Sequence, residues 1–527
     1  MEAEMKTKLA LSTCLILFFL LFPLLAEEQE ADDNTLRLTL EETILQALQN
    51  NLDLRIEVTN PRLSREAVKR QGAIFIPNLE LNVRQSTVNR PSSSVLDGGE
   101  LVTSENSNYS ATLQQTIALG GQLQVSLDNR RQFSTSTFTT INPSWDSSLN
   151  FSLTQPLLKN FGTFVTKRNI KIALNNLEKA NLSLRQRIID IIYQTEEAYW
   201  NLVYAYENRS LRLRSLELAR DLLQQNEIQV KVGVSAPLDV LTAKAEVAQR
   251  ESELLQADSQ IQTYEENLKK ILNLSDFRRR LETTDQPLFL KRESDFNEFL
   301  HTALENRPDI NQVRLDLKNR NIEVRYSRNQ LLPDLQLTAS YYTSGLAGTR
   351  LKTEGNPLLG NYQITGKVES GVWEALQDVL SNLYRNYSFG IRLSVPLQND
   401  AARADRAQAE INLKRALLEL KKMENTIYSE VVQVINDLET NVKIIEASNV
   451  SQELAEQKLL AEQKKLAVGL STNYQVLQFQ RDLASAQISA LRAIIDYNLT
   501  LSRINRILGR TLEAHRVSFD EIAENSF

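Results

Sequence analysis

Cysteine and histidine are almost absent from this 527-residue chain, which has one cysteine, Cys14, and two histidines, His301 and His515. So few thiols and imidazoles exclude a disulfide framework, a thiolate metal site and a histidine cluster with metal-ligand spacing. The sequence also lacks a glycine-rich phosphate loop and a convincing serine, histidine and aspartate set. These absences predict a protein that is not an enzyme and that binds no metal or cofactor.

Glycine and proline are also scarce, with 16 and 12 copies in the whole chain. Because these residues interrupt helices and strands most strongly, their scarcity favours long, continuous elements. The net charge is only −6, and no basic stripe stands out, so we expect no nucleic-acid partner. With 24% charged and 42% hydrophobic residues, the composition fits neither a disordered chain nor a helical membrane protein.

Residues 1–26 have the form of a secretory signal peptide. Lys6 and Lys8 precede an apolar run over 9–25, and Ala26 provides a cleavage point. An uncleaved anchor helix is the alternative, which is disfavoured because the run is short for a membrane span. Cys14 lies inside the run, where lipid attachment would leave a long apolar tail, so we do not expect lipidation.

Four sequence landmarks occur twice in the same order. They pair NNLDLR with NRPDIN, IFIPNLELNVRQ with NQLLPDLQLTASY, LTQPLLKN with LSVPLQND, and VGVSAPLDVL with VGLSTNYQVL. The chain is therefore predicted to be a tandem repeat, with a first unit over 27–280 and a second over 281–527. Each unit is expected to hold a helical stretch, at about 41–73 and 296–331, then a pair of strands, a very long helix, a Val-Gly turn and a shorter helix. Pro61 is expected to kink or interrupt the first helical stretch.

Two helices of unusual length are predicted at 165–231 and 401–467. At 1.5 Å per residue, each would be about 100 Å long. The second helix carries a stripe with alternating spacings of three and four, which is typical of a coiled-coil seam. Its positions are Leu417, Leu420, Glu424, Ile427, Val431, Val434, Leu438, Asn441 and Ile445. A structural coiled-coil protein would show the same stripe.

The segments between the helices alternate between apolar and polar residues. Leu79, Leu81 and Val83 are separated by polar residues, and segments 149–154 and 335–342 repeat the pattern. A transmembrane barrel and a β-sandwich both fit this alternation. The signal peptide and the Ser-, Asn- and Gly-rich connections at 89–108 and 344–361, read as outward loops, favour the barrel. The first half holds an additional candidate strand pair, SATLQQTIAL and GQLQVSLDN, so four to six strands are predicted in all. They cannot close a barrel alone, because closed bacterial barrels start at eight. The strands therefore either come from several chains, which predicts a homo-oligomer, or do not lie in a membrane.

The landmarks resemble those of the outer membrane efflux factor family over nearly all of the mature chain. The stretches that carry the resemblance are NNLDLR, IPNLEL, QPLLKNFG, VGVSAPLDVL, NRPDIN, LPDLQL, VPLQND and VGLSTNYQVL. The resemblance implies a mixed α and transmembrane β fold. Three chains would form a 12-stranded outer-membrane barrel, four strands from each, continuous with a periplasmic α-helical barrel. A mixed belt around that barrel would include 273–295 and the C-terminal tail.

By the same resemblance, the protein would be a passive exit duct for an efflux pump or type I secretion system. Its partners would be outer-membrane lipid, a periplasmic adaptor and an inner-membrane transporter. The two Val-Gly turns would be tips that contact the adaptor, and their matching residues are Val232, Gly233, Val234, Val468, Gly469 and Leu470. A simpler interpretation of Gly233 and Gly469 is that they are helix C-caps.

The aperture is where the sequence departs from the family pattern. Family members carry aspartates after the second turn, whereas this chain has Gln475 and Gln478. Asp239 follows the first turn, and three copies would form an acidic ring that favours cations. We therefore expect the closed tip to be held more by amide and apolar packing than by salt bridges.

Two other classes of function compete with the export duct. A periplasmic or secreted coiled-coil protein with a soluble β cap would share the long helices and the alternating strands. An enzyme is disfavoured because no convergent set of polar residues appears in the sequence.

Overall fold

The structure is a computed structural model, and it describes residues 35–93, 99–136, 139–354 and 363–525. The predicted signal peptide, 1–26, lies outside the described residues. The folded chain has two long helical hairpins on one side and a β-sheet on the other. A small region of mixed structure packs against the hairpins.

Twelve α-helices account for most of the described residues. They are α1 (Leu40–Asn50), α2 (Leu52–Gly72), α3 (Thr163–Thr166), α4 (Arg168–Lys231), α5 (Pro237–Leu272), α6 (Phe296–Asn306), α7 (Pro308–Gln330), α8 (Val372–Leu380), α9 (Asp400–Ala467), α10 (Asn473–Leu508), α11 (Thr511–Ala514) and α12 (Phe519–Asn525). Helices α4 and α5 form the first hairpin, and α9 and α10 form the second.

The two predicted long helices are confirmed. Helix α4 has 64 residues and α9 has 68, so each is about 100 Å long. The predicted seam of α9 is fully buried over its central part, at Ile427, Val431 and Val434. This burial does not extend to the N-terminal part of α9, where Leu417 is half exposed. Burial of this apolar stripe is what stabilises a helix far longer than its intrinsic propensity could support.

The shorter helical stretches break at positions that differ in part from the prediction. Pro61 was expected to interrupt the first stretch, but it lies inside the continuous helix α2. The break falls at Asn51, whose side chain accepts a hydrogen bond from the backbone of Leu54 and so caps α2. In the second stretch the break falls at Arg307, because Pro308 begins α7 in the first-turn position that suits proline.

A belt of mixed structure surrounds the middle of the first hairpin. Strands β1 (Thr35–Leu38) and β6 (Arg280–Thr283) pair in parallel there. The hydroxyl of Tyr199 on α4 donates to the carboxylate of Asp285 at 2.6 Å and also contacts the carbonyl of Leu38. Helix α11 and the start of α12 pack on the same apolar cluster. The segments that the resemblance assigned to a belt, 273–295 and the C-terminal tail, therefore both contribute to structure that packs on the first hairpin.

A second, larger sheet occupies the opposite end of the chain. Its strands are β2 (Asn78–Pro91), β3 (Leu101–Thr116), β4 (Gln122–Ser134), β5 (Ile141–Pro156), β7 (Asp334–Glu354), β8 (Gln363–Val368) and β9 (Tyr384–Ser394). All neighbouring strands are antiparallel, and the order begins β2-β3-β4-β5-β7. The first part of β7, Asp334–Ser344, then pairs with β9, and its last part, Arg350–Glu354, pairs with β8.

The sequence pattern predicted four to six strands, and the described sheet reaches the upper number rather than the four that the resemblance implied. Six strands cross it, and β8 adds a short seventh. The extra pair, β3 and β4, is rich in serine, asparagine and glutamine, which weakens its strand signal. The predicted outward loops at 89–108 and 344–361 were wrong in part, because Leu101–Thr116 is β3 and β7 continues to Glu354. Among the described helices, none has both the length and the hydropathy of a membrane-spanning helix.

Candidate functional site

The large sheet has one polar face and one apolar face, and the division continues across all six long strands. One row of directly paired residues on the apolar face is Leu79, Leu113, Val125, Phe151, Tyr341 and Tyr387. The neighbouring row on the polar face is Glu80, Thr112, Ser126, Asn150, Tyr342 and Asn386. Because successive side chains of a strand point to opposite faces, the register alone separates the two surfaces.

The polar face is concave. Residues of β3, β4, β5 and β7 line a cavity of about 920 Å³, and its polar side chains include Asn108, Asp128, Arg130 and Asp146. The guanidinium of Arg130 donates to Asn108 at 3.0 Å across two strands, and Ser126 donates to Asp128 at 3.0 Å. A curved surface of charged and amide groups is suited to contact with water rather than with lipid.

The apolar face is exposed over a broad area. Leu81 is 72% exposed on β2, and Phe389 is 78% exposed on β9 at the other edge of the sheet. A contiguous apolar surface of this size is unfavourable in water and marks contact with a membrane or a partner. Together with the polar face, it divides the sheet into a surface for lipid and a surface for water.

Helix α8 packs on the apolar side of the sheet, above the exposed band. The hydroxyl of Thr343 donates to the carbonyl of Val379 at 3.1 Å. Gly345 allows the close approach, since a Cβ there would lie 2.0 Å from the carbonyl oxygen of Ala375. The opposite side of α8 exposes Trp373 and Leu380. Tryptophan at the edge of an apolar band is typical of the membrane–water interface.

The two Val-Gly turns have the same backbone structure. Gly233 and Gly469 adopt left-handed φ angles of 80° and 76°. At the first turn, the amide of Val234 donates to the carbonyl of Gln229 at 2.9 Å, and Gly233 donates to Val230 at 3.1 Å. The second turn repeats both bonds at equivalent positions, so each long helix ends in a Schellman motif. The interpretation of both glycines as C-caps is confirmed.

Apolar side chains project from both tips. Val232, Val234, Val468 and Leu470 are all between 67% and 78% exposed. Around both glycines no atom would lie within 4 Å of an added Cβ, so the backbone is open to an approaching surface. The predicted tip residues therefore form two equivalent exposed surfaces.

The tips are brought together by a small apolar cluster. Leu222 of α4 lies in one cluster with Leu459 of α9 and with Val476, Leu477 and Leu483 of α10. All five side chains are buried, at 9% exposure or less. The lower parts of the two hairpins thus pack on each other within one chain.

The three predicted aperture residues differ in their contacts. Asp239 accepts from the hydroxyl of Ser235 at 2.5 Å and from the amide of Ala236 at 3.3 Å, so it caps α5. Gln475 and Gln478 are exposed near the start of α10. Gln475 accepts from Ser471 at 3.1 Å and Gln478 donates to Asp482 at 3.1 Å. Asp239 therefore has a structural role in addition to any effect of its charge.

An ion-pair cluster between the hairpins was missed in the sequence. Glu246 of α5 is 3% exposed and binds Arg250 of its own helix and Arg481 of α10. Burial opposes ionisation of Glu246, but the hydrogen bond from Arg481 and the charges of both arginines outweigh it. The pKa of Glu246 therefore lies below its ordinary value. The lower parts of the two hairpins are thus joined by an ion pair as well as by the apolar cluster.

A second carboxylate near the tips is held in the same way. Glu462 of α9 accepts from the hydroxyl of Ser471 at 2.6 Å and from Lys465 at 3.1 Å. These two hydrogen bonds lower the pKa of Glu462. The second turn is therefore tied back to the helix that precedes it. Across the described part of the chain, no group of acidic, histidine or cysteine side chains has an arrangement that could hold a metal ion.

Comparisons with known proteins find outer membrane and secretion proteins. The family model described as outer membrane efflux protein matches residues 122–274 and 299–510. The chain is 22% identical over 446 residues to the alkaline protease secretion protein AprF of Pseudomonas aeruginosa, covering 80% of this chain and 85% of AprF. It is 23% identical over 342 residues to the outer membrane protein TolC of Escherichia coli, covering 61% and 64% of the two chains.

The fold is similar to that of solved outer membrane channels. The crystal structure of the CmeC outer membrane channel of Campylobacter jejuni superposes with a TM-score of 0.62 at 15% identity. The match covers 92% of this chain and 89% of CmeC.

Proposed function

The chain belongs to the outer membrane efflux protein family, whose members are channels, and we propose that it works as a homotrimeric duct docked to a periplasmic adaptor. It is the outer-membrane exit duct of an efflux pump or a type I secretion system, with a large periplasmic helical portion. Members of this family act together with periplasmic adaptors and inner-membrane transporters. Cargo passes through them without a chemical step.

One observation carries the proposal: a sheet with a continuous apolar face and a continuous polar face is joined directly to helices about 100 Å long. The apolar face would contact lipid, the concave polar face would line the lumen, and the helices would extend the lumen across the periplasm. A soluble β cap would leave the apolar face in water, which disfavours the alternative of a structural coiled-coil protein.

The need for several chains follows from the edges of the sheet. Within the described residues, β2 pairs only with β3, and β9 pairs only with β7. Each of these two strands therefore has one edge without a partner strand. Unpaired strand edges are not tolerated in lipid, because their backbone groups would lack hydrogen bonds. The strand directions alternate, so β9 of one chain would meet β2 of the next in antiparallel orientation. A ring of three chains would close the barrel in this way.

The tips of the hairpins would be the adaptor-docking surfaces. Each tip combines exposed apolar side chains with an open glycine backbone, and a trimer would present six tips around the mouth. The contact residues would be Val232, Gly233, Val234, Val468, Gly469 and Leu470. Asp239, Gln475 and Gln478, one or two turns further up, would line the aperture. Three copies of Asp239 would favour cations.

The two hairpins are proposed to be equivalent halves of one pseudo-symmetric unit. The first repeat would run over 27–280 and the second over 281–527. Both halves of the described chain have a pair of short helices before the strands, then a long helix, a glycine-capped turn and a 36-residue helix. This equivalence would let three chains supply twelve hairpin helices to the periplasmic wall, six of 64 to 68 residues and six of 36 residues.

Reconstitution in planar bilayers tests the proposal. The full chain should be extracted from outer membranes only with detergent, migrate as a heat-modifiable trimer and produce stepwise conductance. A protein that is extracted without detergent and gives no conductance would instead fit the soluble coiled-coil class.

A further inference from the structure

Strands β3 and β4 form a hairpin that lies between β2 and β5 in the sheet, whereas the helices connected to β2 and β5 are direct neighbours. Helix α2 leads into β2, and β5 leads into α4. Helices α2 and α4 contact each other, yet β2 and β5 are separated in the sheet by β3 and β4. The hairpin is therefore an addition to the strands that connect directly to helices, and its surroundings decide whether it faces lipid or water.

The register makes the hairpin a full part of the sheet. Strands β2 and β3 pair without a shift from Asn78 opposite Gln114 to Pro91 opposite Leu101. The pairing of β3 with β4 and of β4 with β5 is equally regular. A segment that folded into the lumen as a plug could not keep these ladders. The hairpin thus lies in the plane of the wall.

The short turn of the hairpin is anchored at the helical end of the sheet. The amide of Gly162 donates to the carbonyl of Leu119 at 3.0 Å, and the side chain of Gln155 donates to the same carbonyl at 3.2 Å. Gly120 has a φ of 88°, and a Cβ there would lie 2.5 Å from the carbonyl oxygen of Asn160. The turn is thus held against the connection between β5 and α3, as expected for a short periplasmic turn.

Apolar residues of the hairpin continue the apolar face of the neighbouring strands. Leu113 of β3 and Leu127 of β4 are exposed on that face, where Leu113 is paired with Leu79 and Leu127 with Leu149. On the other face the hairpin carries polar side chains, such as Gln124. The apolar row and the polar row of paired residues both continue from the neighbouring strands into the hairpin without a change in register.

The width of the helical layer matches six strands better than four. Helices α2, α4, α7 and α9 lie side by side below the sheet, each in contact with the next. At an interaxial distance of about 9 Å, four helices occupy about 36 Å of wall. Strands about 4.8 Å apart and tilted by about 40° occupy about 38 Å if there are six, and only about 25 Å if there are four.

We propose that the β3–β4 hairpin is part of the lipid-contacting wall and binds acyl chains through the face that includes Leu113 and Leu127. Each chain then contributes six membrane strands, so a trimer closes an 18-stranded barrel (three times six) instead of the 12-stranded barrel implied by the family resemblance. This inference rests on the proposed outer-membrane duct. It gives the chain a wider exit: the barrel backbone has a radius of about 18 Å, against about 12 Å for 12 strands at the same spacing and tilt.

Lipid quenching of single-cysteine variants of the full chain tests the inference. Bimane is attached to Leu127→Cys on the apolar face of β4 and to Gln124→Cys on its polar face. Ile391→Cys and Arg392→Cys provide the matched pair on β9, which connects directly to a long helix. Cys14, the only native cysteine, lies in the predicted signal peptide. Each variant is reconstituted into vesicles of phosphatidylcholine with brominated acyl chains, after its heat-modifiable trimer has been verified.

We expect brominated lipid to reduce the fluorescence at Leu127→Cys as strongly as at Ile391→Cys, with little loss at the two polar-face positions. Val125→Cys on the same face of β4 provides a second site if Leu127→Cys does not assemble. Quenching at Ile391→Cys without quenching at either β4 site would place the hairpin outside the lipid and overturn the inference, while leaving the duct intact. Failure of Ile391→Cys to respond as well would overturn both the inference and the proposed membrane wall.

Discussion

Arg481 and Glu246 form a bidentate ion pair that joins the two hairpins, although they are 235 residues apart in the sequence. The Nε atom of Arg481 lies 3.0 Å from each carboxylate oxygen of Glu246, and its Nη2 atom also donates to Oε2. Arg250 contacts the same carboxylate from the other side. The pair thus fixes how α5 and α10 lie against each other above the tips.

Replacing Glu246 and replacing Arg481 should lower the free energy of unfolding by different amounts. Glu246→Ala leaves Arg250 buried with only part of its charge compensated, and we expect a loss of about 3 kcal/mol of unfolding free energy. Arg481→Ala removes a side chain that is 47% exposed and leaves Glu246 paired with Arg250, so we expect about 1 kcal/mol. Thermal unfolding in detergent, followed by far-ultraviolet circular dichroism, measures both. Equal losses would contradict the buried character of Glu246.

The same carboxylate should make hairpin packing sensitive to acid. Its folded-state pKa lies below the ordinary value of 4.5, so its contribution to stability is complete above that pH and is lost as pH falls through the folded-state pKa. We therefore expect the melting temperature of the native protein to fall more steeply below pH 4.5 than that of Glu246→Gln. The difference between the two curves isolates this group from other carboxylates. Parallel curves would mean that Glu246 does not titrate in this way.

The tip glycines should resist substitution for conformational reasons alone. Alanine at Gly233 or Gly469 has space around it but must adopt a left-handed φ, which costs about 1 kcal/mol. Gly72 is a matched control, because it also has open space but a φ of −70°. Gly72→Ala should leave the melting temperature unchanged or raise it. A loss at Gly72 equal to that at Gly233 would point to a cause other than backbone geometry.

A bulky residue at the same tips should block adaptor docking without unfolding the duct. Gly233→Trp and Gly469→Trp place a large side chain into the open space around each turn, where we propose that the adaptor contacts the chain. Co-purification with the cognate adaptor should be lost, while trimer migration and conductance in bilayers persist. Gly72→Trp, far from the tips, should retain the adaptor. Adaptor binding that survives both tip substitutions would place the docking surface elsewhere.

The capping and charge roles of Asp239 can be separated. Asp239→Asn removes the charge but keeps an oxygen that can accept from Ser235 and Ala236, so it should lower the cation preference of the conductance with little change in stability. Asp239→Ala should reduce the cation preference equally and cost about 1 kcal/mol through loss of the cap. Ion selectivity that is unchanged in both variants would rule out the acidic ring.

Local signals in the sequence were enough to predict the hairpins. The end of α9 at Ala467 agrees with the predicted 467, because Gly469 can end a helix in a way that few residues can. Strands β3 and β4 were only partly predicted, because their apolar positions are few and their composition is typical of loops. The pair of Glu246 and Arg481 depends on contact between distant segments. Its only sequence signal is that opposite charges lie 13 and 12 residues after Gly233 and Gly469 (246 − 233 and 481 − 469).

The parallel pairing of β1 with β6 restricts the order in which the chain can fold after export. Thr35 pairs with Arg280, so the first described strand must wait until 245 further residues have crossed the inner membrane. Closing a loop of that length is entropically costly and slow compared with forming the helical hairpin inside it. The segment that leaves the translocon first is therefore locked in place only after about half of the chain has followed it. Until then, the N-terminal end of the chain remains accessible to periplasmic chaperones and proteases.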